Sequence, residues 1–395
     1  MAMRPDMPSR MAHVNHSLAG IYVHIPFCLR KCLYCDFYSV TDLSLKPAFL
    51  EALTSEISAA DPGPLAFDTI YIGGGTPSVL EPEEVKTIIE GLFSKFRFES
   101  PVEVTLEVNP GTVDFENLQG FRSAGVNRPN VGVQSFHEKN LETLGRIHSA
   151  ASAHAALASA RRAGFAAVGL DLMYGLPGQT LPDWLEDLES ALAHEPEHIA
   201  CYMLTVEPAT PLAEEQRLGR FQPAPEGAAA DLFLATSEFL TTRGFRHYEI
   251  SNFARCGAGG AAARTSRHNT KYWAHAAYLG FGPAAHSFLP PKRFWNAGDV
   301  KGYVAAVKRG GRAACGEETL TREQEMMELT MLGLRTAAGI DLQDFKARFG
   351  ADFMQMHGEA VAELQSHGLL RLEDGRCAPS LRGMLYINTI TAALI

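Results

Sequence analysis

Short strand-like runs alternate with longer segments of helical period along the first half of this chain. The strand-like runs are rich in β-branched residues and cover residues 20–27, 67–78, 102–110, 126–136, 166–180 and 198–208. Apolar residues at helical spacing mark the intervening segments 46–60, 81–96, 114–125, 140–164 and 181–194. This order predicts six βα units with right-handed crossovers, and hence a parallel sheet that forms either a barrel, open or closed, or a doubly wound sheet.

The residues with the most distinctive chemistry lie where these predicted strands end. Glycines 73–75, "EVNP" at 107–110, "GVQSF" at 132–136 and "DLMYGLPGQT" at 171–180 all occupy such positions. In parallel α/β folds, ligands bind beyond the carboxyl ends of the strands. Several strand ends that converge on one mouth favour a barrel over a doubly wound sheet.

Composition limits the class of protein. The chain has 395 residues, of which 46% are hydrophobic and 20% charged, which is typical of a soluble protein of about two domains. Its 35 Lys and Arg against 45 Asp and Glu give a formal charge of −10, so no nucleic-acid partner is expected. No run approaches the roughly 20 apolar residues of a membrane helix, and the N-terminus does not resemble a secretory signal. A cytoplasmic protein is expected.

Four regions are predicted along the chain. Residues 1–19 are expected to be a disordered leader, and residues 20–215 contain the six βα units. Residues 216–318 begin with a linker and a helix and continue into a segment rich in histidine and aromatic residues. Residues 319–395 are predicted to be mostly helical with a terminal hairpin, an order typical of a winged helix. Between residues 341 and 365 five acids stand against two Lys or Arg, which argues against a DNA-recognition helix.

Three of the seven cysteines, Cys28, Cys32 and Cys35, lie within eight residues directly after the first predicted strand. The other four stand alone at wide spacing, so the set is not a disulfide framework, and a metal or redox role is favoured in a reducing cytoplasm. Three thiolates can each bind one iron of a [4Fe–4S] cluster and leave the fourth iron open to a substrate. Spacing alone also allows a zinc site completed by a distant ligand, or three simple buried thiols.

Candidate ligand-binding groups follow the other predicted strands. The glycines of "GGGTP" offer backbone N–H groups that can bind an amino-acid moiety, although an ordinary βα turn has the same sequence pattern. Glu107, Gln134, Arg146 and Asp171 are candidates for binding amino, hydroxyl and carboxylate groups. Each could individually be a solvated loop residue, and their shared position at successive strand ends is what favours a common site.

The order of these motifs resembles the radical S-adenosylmethionine superfamily. The first motif is the pattern C-x3-C-x2-C, with the aromatic residue Tyr34 between the last two cysteines. From Ile21 to about Tyr386, the chain is similar to the heme chaperones of that superfamily and to their relatives, the oxygen-independent coproporphyrinogen III oxidases. The motifs that carry this similarity are "YVHIPFC", "GGGTPS", "LEVNPGT", "GVQSF", "LGRIH", "DLMYGLPGQT", "HYEISNFA", "RHNTKYW" and "GFGPAAHSF".

The resemblance implies an α/β fold: an incomplete (β/α)6 barrel with a smaller, mostly helical, winged-helix-like C-terminal domain. It implies that Cys28, Cys32 and Cys35 bind a [4Fe–4S] cluster whose open iron chelates S-adenosylmethionine. The residues that it assigns to S-adenosylmethionine are Tyr22, Tyr34, Gly74, Gly75, Thr76, Glu107, Gln134, Arg146 and Asp171.

Three features favour the chaperones over the oxidases. The oxidases have a further cysteine two residues after the third cluster ligand, and Phe37 occupies that position here. They also have a longer N-terminal extension, whereas 27 residues precede Cys28 in this chain. The third feature is "HNTKYW" at 268–273, which matches the H-N-x-x-Y-W heme motif of the chaperones.

The resemblance assigns heme binding to His268, Asn269, Tyr272 and Trp273. An imidazole can ligate heme iron, and the aromatic rings can supply apolar faces for the macrocycle. The alternative is that His268 is a hydrogen-bonded core histidine and the aromatic residues are ordinary packing. Three further histidines are candidates for the axial ligand, namely His247, His275 and His286.

This chain departs from the family pattern at two places. A segment rich in Ala and Gly, "GAGGAAARTS" at 257–266, precedes the heme motif and leaves the presentation of that motif open. Pro129 lies in the fourth predicted strand, where a residue without a backbone N–H weakens the strand prediction.

By resemblance, the chain is expected to bind heme and deliver it to target proteins such as membrane-bound respiratory enzymes, and to form a homodimer supported by the cluster. It would then be a cytoplasmic protein that meets the membrane through its partners. The enzymatic alternative is the anaerobic decarboxylation of coproporphyrinogen III in porphyrin biosynthesis.

Overall fold

The structure is a computed structural model that describes residues 18–61, 63–257, 263–310 and 313–395. The predicted leader lies outside these ranges except for Leu18 and Ala19, which begin the first strand. Residues 258–262 of the segment rich in Ala and Gly also lie outside them.

Within those ranges the chain forms fifteen strands and fifteen α-helices. The strands are β1 (Leu18–Ile25), β2 (Ala66–Gly74), β3 (Arg97–Val108), β4 (Arg128–Gln134), β5 (Gly169–Tyr174), β6 (His198–Met203), β7 (Phe245–Glu249), β8 (Asn252–Arg255), β9 (Tyr278–Phe281), β10 (His286–Leu289), β11 (Lys292–Asn296), β12 (Ala314–Thr319), β13 (Ile340–Asp341), β14 (Leu370–Glu373) and β15 (Arg376–Pro379). The helices are α1 (Lys46–Ala59), α2 (Pro82–Lys95), α3 (Phe115–Ser123), α4 (Glu138–Leu144), α5 (Ala150–Arg162), α6 (Leu181–Leu192), α7 (Pro211–Arg217), α8 (Glu226–Thr241), α9 (Arg267–Trp273), α10 (Val300–Gly310), α11 (Arg322–Gly333), α12 (Leu342–Phe349), α13 (Phe353–Ser366), α14 (Leu381–Leu385) and α15 (Ile387–Leu394). Short 3-10 turns cover Leu43–Leu45, Pro77–Val79 and Pro110–Thr112.

Strands β1 to β6 are neighbours in chain order and all parallel, with helices in the crossovers, so the predicted α/β fold is confirmed. The six strands form an incomplete barrel because β1 and β6 do not pair with each other. Instead, β1 pairs with β9 in parallel and β6 pairs with β8 in antiparallel orientation. The fourth strand forms despite Pro129, which is the second residue of β4 and lies opposite Leu106 of β3.

Six strands that the sequence pattern did not predict extend this sheet at both edges. The full order is β12-β11-β10-β9-β1-β2-β3-β4-β5-β6-β8-β7 within the described residues. The added strands are four to six residues long, and β12 is mostly exposed, so they have neither the length nor the apolar periodicity that identified β1 to β6. The predicted region boundaries after residues 215 and 318 stay predictions.

Alternation along each strand separates the core from the barrel interior. In β2, Ile70 and Ile72 are fully buried in the hydrophobic core, whereas the neighbouring Thr69 and Tyr71 carry side chains that make polar contacts inside the barrel. Trp184 of α6 is fully buried in the same core and donates a hydrogen bond from Nε1 to Thr236 Oγ1 at 2.7 Å. The barrel interior is therefore polar, and its wall is held by an apolar outer layer.

The C-terminal region is mostly helical and includes the predicted hairpin, β14 with β15, to which β13 adds a third strand. A second hydrophobic core around Phe345, Phe349 and Phe353 holds its helices together. The order of helices and hairpin agrees with the predicted winged-helix-like domain. Among the described residues, none of the helices combines the length and apolar character required to cross a bilayer.

Candidate functional site

The three clustered cysteines lie on the loop that follows β1, and all three are free thiols. Thr76 Oγ1 donates to Cys28 Sγ at 3.3 Å, and Arg146 Nη1 donates to Cys32 Sγ at 3.5 Å. Burial raises the pKa of the Cys35 thiol. Hydrogen bonds to sulfur are typical of iron–sulfur sites, so these residues fit a [4Fe–4S] cluster.

The cysteines are not arranged around a single point. Among the residues that the structure describes, no three His, Cys, Asp or Glu side chains lie close enough together to share one metal ion. The protein ligands of a cubane cluster bind separate irons, and they therefore lie farther apart than the ligands of one ion.

The glycine turn at the end of β2 packs its backbone directly against the cysteine loop. Gly75 N donates to Ile25 O at 2.8 Å, and Thr76 N donates to Phe27 O at 2.7 Å. A Cβ atom on Gly75 would lie 2.7 Å from Phe27 O and 3.1 Å from Cys28 Sγ. Gly74 has a φ of +112°, and a Cβ there would lie 2.7 Å from the His24 ring. Gly75 is therefore required by its close approach to the cysteine loop, and Gly74 by its positive φ and its close approach to His24 of β1.

Glu107 at the end of β3 connects this turn to the barrel interior. Its Oε2 accepts a hydrogen bond from Gly74 N at 3.1 Å, and its Oε1 accepts one from Tyr71 OH at 2.8 Å. Burial, opposed by the hydrogen bond from Tyr71 and reinforced by the Asp171 carboxylate, raises the pKa of Glu107 to about 7. Tyr22 of β1 stacks on Tyr71, with ring centroids 6.2 Å apart.

Arg146 reaches the site because the predicted helix 140–164 is broken. Gly145, with a φ of +68°, ends α4, and α5 begins at Ala150, so Arg146 lies in the connection between the two helices. Its Nη2 donates to Gly132 O at 2.7 Å and its Nη1 to Tyr34 OH at 3.4 Å. The guanidinium thereby joins the aromatic residue of the cysteine motif to β4.

Gln134 ends β4 in a conformation that is unusual for its residue type. Its φ is +69°, in the left-handed region, and the strand register with β5 shifts between Gly132 and Gln134. Non-glycine residues in this region are often found at ligand sites, where the surrounding structure holds the strain. A Cβ on Gly132 would lie 3.1 Å from Gln134 Nε2 and 3.4 Å from Arg146 Nη2.

Asp171 of β5 is held by Asn130 of β4, a residue that the sequence analysis did not identify. Asn130 Nδ2 lies 3.0 Å from Asp171 Oδ1 and 2.9 Å from Oδ2. Burial raises the pKa of Asp171 to about 6, against the opposing effect of the Asn130 hydrogen bonds. Gly132 of β4 is opposite Asp171 of β5, and Asn130 lies two residues before Gly132. Residues two apart in a strand share a face of the sheet, so strand alternation was the signal that could have identified Asn130.

A small polar cavity lies beneath Asp171 inside the barrel. Its lining is Tyr71, Thr105, Arg128, Asn130, Asp171, His198, Tyr202, Asn252, Ser266 and Asn269. Four buried polar atoms of this lining have no hydrogen-bond partner among the described residues, namely Thr105 Oγ1, Arg128 Nη2, His198 Nδ1 and Asn252 Oδ1. Buried polar atoms that share a small cavity are usually satisfied by ordered water.

The motif "HNTKYW" forms α9, which packs at the amino-terminal end of the barrel strands. His268 is fully buried, and its Nδ1 and Nε2 lie 2.9 Å from Thr69 Oγ1 and 2.9 Å from Tyr272 OH. Burial lowers its pKa to about 3. In this conformation His268 has the contacts of a hydrogen-bonded core histidine, the alternative considered for this residue.

The other residues of the motif also make internal contacts. Asn269 lines the interior cavity, and the Tyr272 ring packs edge-on against Tyr278 at a centroid distance of 4.7 Å. Trp273 is half-buried, and its buried Nε1 lacks a hydrogen-bond partner within the described part of the chain. The cysteine loop and the glycine turn thus lie at the carboxyl ends of the strands, whereas His268 packs near their amino ends, and Asp171 and Asn269 line the same cavity between them.

Comparison with known proteins defines the class to which this fold and site belong. The chain matches the Radical SAM superfamily over residues 22–191 and the HemN C-terminal domain over residues 320–386. The solved structure of coproporphyrinogen III oxidase (HemN) from Escherichia coli has the same fold, with a TM-score of 0.81 at 23% identity, and the match covers 97% of this chain and 91% of that chain. The class is that of radical SAM proteins with a HemN-type C-terminal domain.

Two curated relatives narrow the class to one family. The heme chaperone HemW of Bacillus subtilis (strain 168) is 33% identical over 383 residues, which cover 96% of this chain and 99% of the relative. HemW of Lactococcus lactis subsp. lactis (strain IL1403) is 34% identical over 371 residues, covering 93% of this chain and 95% of the relative. The chain belongs to the HemW family.

Proposed function

We propose that this protein is a heme chaperone that binds a [4Fe–4S] cluster, S-adenosylmethionine and heme, and passes the heme to acceptor proteins. The chain is similar to two relatives, in B. subtilis and L. lactis, that are named heme chaperones, and the similarity extends over nearly their whole length. The single observation that carries the proposal is the convergence of the cysteine loop, the Gly74–Gly75 turn and Arg146 at one mouth of the barrel.

Some residues at this mouth would bind the cluster, and others would bind S-adenosylmethionine. Cys28, Cys32 and Cys35 would hold three irons, and the cluster, when bound, supplies an open iron and a transferable electron. The glycine turn lines the site with backbone that is held against the cysteine loop, and Glu107, which accepts a hydrogen bond from Gly74 N, is the carboxylate nearest to the turn and is suited to an amino group. Tyr22, Tyr34, Thr76, Gln134, Arg146 and Asp171 complete the proposed S-adenosylmethionine site.

Asp171 and Arg146 present complementary charges to such a ligand. A carboxylate accepts hydrogen bonds from ribose hydroxyls, and Asn130 fixes its orientation from the side away from the mouth. The buried Nε of Arg146 has no hydrogen-bond partner among the residues that the structure describes, and such a guanidinium can bind a ligand carboxylate.

The assignment of His268, Asn269, Tyr272 and Trp273 to heme remains a proposal. It requires α9 to leave its packed position, because His268 has no free ring nitrogen in the present conformation. The contacts that oppose such a movement include Lys271, whose Nζ lies 2.7 Å from both Leu18 O and Asp68 Oδ1.

The test separates a chaperone from an oxidase. The protein is reconstituted anaerobically with iron and sulfide and incubated with coproporphyrinogen III, S-adenosylmethionine and a reductant. Decarboxylated tetrapyrrole in the mass spectrum would overturn the chaperone proposal. The expected result is no such product from protein with a full cluster that takes up hemin and loses it to an apo-acceptor.

Matched cysteine variants test the cluster ligands in the same preparation. Cys28→Ser, Cys32→Ser and Cys35→Ser should each lower bound iron and sulfide and the absorbance near 400 nm. Cys256→Ser is the control, since Cys256 is an exposed free thiol outside the loop. Full iron and sulfide in all three loop variants would refute the ligand assignment.

The remaining parts of the proposal concern partners. Heme acceptors at a membrane, a homodimer and the absence of a nucleic-acid partner are proposed from family membership and from the formal charge of −10. Light scattering with and without the cluster tests the dimer, and flotation with membranes that contain apo-acceptors tests the encounter at the membrane.

A further inference from the structure

The turn that follows β4 is held from behind by a buried carboxylate on α6. Asp187 has no exposed surface, and its Oδ1 accepts a hydrogen bond from Phe136 N at 2.5 Å. Ser135 Oγ lies 2.8 Å from Asp187 Oδ2 and 3.1 Å from Oδ1. Ser135 and Phe136 directly follow Gln134, the last residue of β4. Asp187 therefore fixes the backbone just beyond Gln134 from the helical layer outside the sheet.

The other partners of Ser135 determine the direction of its hydrogen bond to Asp187. His137 N and Asn140 Nδ2 each donate to Ser135 Oγ at 3.1 Å, so both lone pairs of the hydroxyl are used. The hydroxyl proton must then be donated to Asp187. The network is complete only with an acceptor at position 187, because an amide nitrogen there would face an oxygen that already receives two hydrogen bonds.

A buried carboxylate costs free energy unless donors surround it. Burial raises the pKa of Asp187, against the hydrogen bonds from Phe136 N and Ser135 Oγ. Among the described residues its ion-pair partner is His137, whose Nε2 is 4.0 Å from Asp187 Oδ1. A neutral acceptor would hold the turn at a smaller desolvation cost, so the carboxylate indicates that a strong hold on this turn matters.

The backbone that Asp187 fixes carries Gln134 in an unfavourable conformation. The φ of Gln134, +69°, costs a non-glycine residue free energy and persists only where the surrounding structure imposes it. The hydrogen bonds to Ser135 and Phe136 impose it from the carboxyl side. As a result the Gln134 amide lies over Gly132, where an added Cβ would be 3.1 Å from Gln134 Nε2.

The same network fixes the helix that leads to Arg146. Asn140, which bonds to Ser135 Oγ, lies in the first turn of α4. Because α4 has only seven residues, anchoring its first turn also sets its end, where Arg146 N donates to Leu141 O at 2.9 Å. On the other side of Arg146, His148 Nε2 lies 3.0 Å from Val133 O of β4. Arg146 is thus held between two contacts to β4 and the turn that follows it.

From these contacts we propose that Asp187 is a positioning residue for S-adenosylmethionine, which acts through Ser135 to place Gln134 and Arg146 at the mouth of the barrel. The inference rests on the proposed function, since it concerns the same S-adenosylmethionine site. It adds to that site a residue of α6 that lies outside all of the motifs identified in the sequence.

Equilibrium dialysis of S-adenosylmethionine against the anaerobically reconstituted full chain tests this role. Asp187→Asn and Ser135→Ala should each weaken binding by about tenfold, as expected when hydrogen bonds to a charged group are lost. The double variant should bind no more weakly than Asp187→Asn alone, because both changes break one network. All three variants should retain the cluster and, at saturating S-adenosylmethionine, the wild-type electron paramagnetic resonance spectrum of the reduced cluster.

Two variants of α6 separate a positioning role from a general effect on stability. Glu186→Gln removes the neighbouring carboxylate, which is exposed, and should change neither binding nor unfolding. Trp184→Phe removes the hydrogen bond from a fully buried side chain of the same helix to Thr236. It should lower the temperature of thermal unfolding and yet keep the wild-type affinity for S-adenosylmethionine.

Wild-type affinity in both Asp187→Asn and Ser135→Ala would overturn the inference, as would loss of the cluster from them. An equal loss of affinity in Trp184→Phe would also overturn it, because the effect would then follow from stability alone. If Asp187→Asn does not fold, Ser135→Ala decides the question by itself. A wild-type protein that has a full cluster but retains no S-adenosylmethionine would instead refute the proposed function.

Discussion

Replacement of Gly75 by alanine is expected to impair cluster assembly. The added Cβ would lie 2.7 Å from Phe27 O and 3.1 Å from both Cys28 Sγ and Ile25 O. Ordinary contact begins near 3.4 Å, so the shortest of these distances falls short by about 0.7 Å. Two of the three neighbours are backbone carbonyl oxygens, which cannot rotate away as a flexible side chain would, and the loop that carries Cys28 must therefore move.

The expected cost is about 1 to 3 kcal/mol of folding stability, as for other overpacked sites, together with displacement of one cluster ligand. The assay is thermal unfolding of the apoprotein and iron and sulfide content after anaerobic reconstitution. Gly91→Ala is the control, because no atom of the described residues lies within 4 Å of a Cβ at Gly91 of α2, and the change should stabilise the helix by about 0.5 to 1 kcal/mol. A Gly75→Ala protein with unchanged unfolding temperature and full iron would refute the close-approach argument.

Three further predictions concern charged and polar groups around the barrel. Arg146→Lys should retain the cluster but weaken S-adenosylmethionine binding about tenfold or more, as measured by equilibrium dialysis. The reason is that an ammonium cannot contact both Gly132 O and Tyr34 OH as the guanidinium does. An unchanged affinity would contradict this role of Arg146. Asn130→Ala should raise the pKa of Asp171 above about 6, because the variant lacks the hydrogen bonds that oppose the effect of burial. S-adenosylmethionine binding should therefore weaken most near pH 6 and recover as the pH rises. A uniform loss of binding at all pH values would indicate that Asn130 has a purely structural role. Burial raises the pKa of Glu56 to about 7 from 4.5, so its contribution to stability is complete below pH 4.5 and is lost as the pH rises through 7, by ~3 kcal/mol at most. Glu56→Gln should flatten this decrease in thermal-unfolding measurements, and an unchanged pH profile would count against it.

The parts of the fold that could be predicted are those with a strong local signal. Strands β1 to β6 combine apolar residues with glycine or proline ends, and each is followed by a segment of helical period. The segment 140–164, for which the period predicts helix, forms two helices, because Gly145 caps α4 and α5 begins only at Ala150. That glycine was visible in the sequence, but isolated glycines are tolerated within helices, and no local pattern records its φ of +68° or its close approach to Leu33, whose Cγ would lie 3.0 Å from an added Cβ.

The residues of the candidate site also fall into those with a local sequence signal and those without one. The cysteines, the glycine turn and the acidic residues at strand ends carry motifs that can be read locally. Asn130 carries no motif of its own, and it matters only because β4 and β5 pair in a register that places Gly132 opposite Asp171. Of the four candidate histidines only His268 carries a family motif, and burial and hydrogen bonding, which the sequence does not record, distinguish the exposed His286 from the other three.

The sequence by itself determined the α/β class, the order of the six βα units and the grouping of three thiols on one loop, because each depends on periodicity or spacing within a short segment. Only the tertiary structure decided where "HNTKYW" lies and which histidine remains accessible. His268 is bonded to Thr69, which is 199 residues away in the chain. A contact over that separation depends on how the whole sheet closes around α9, and no local pattern records it.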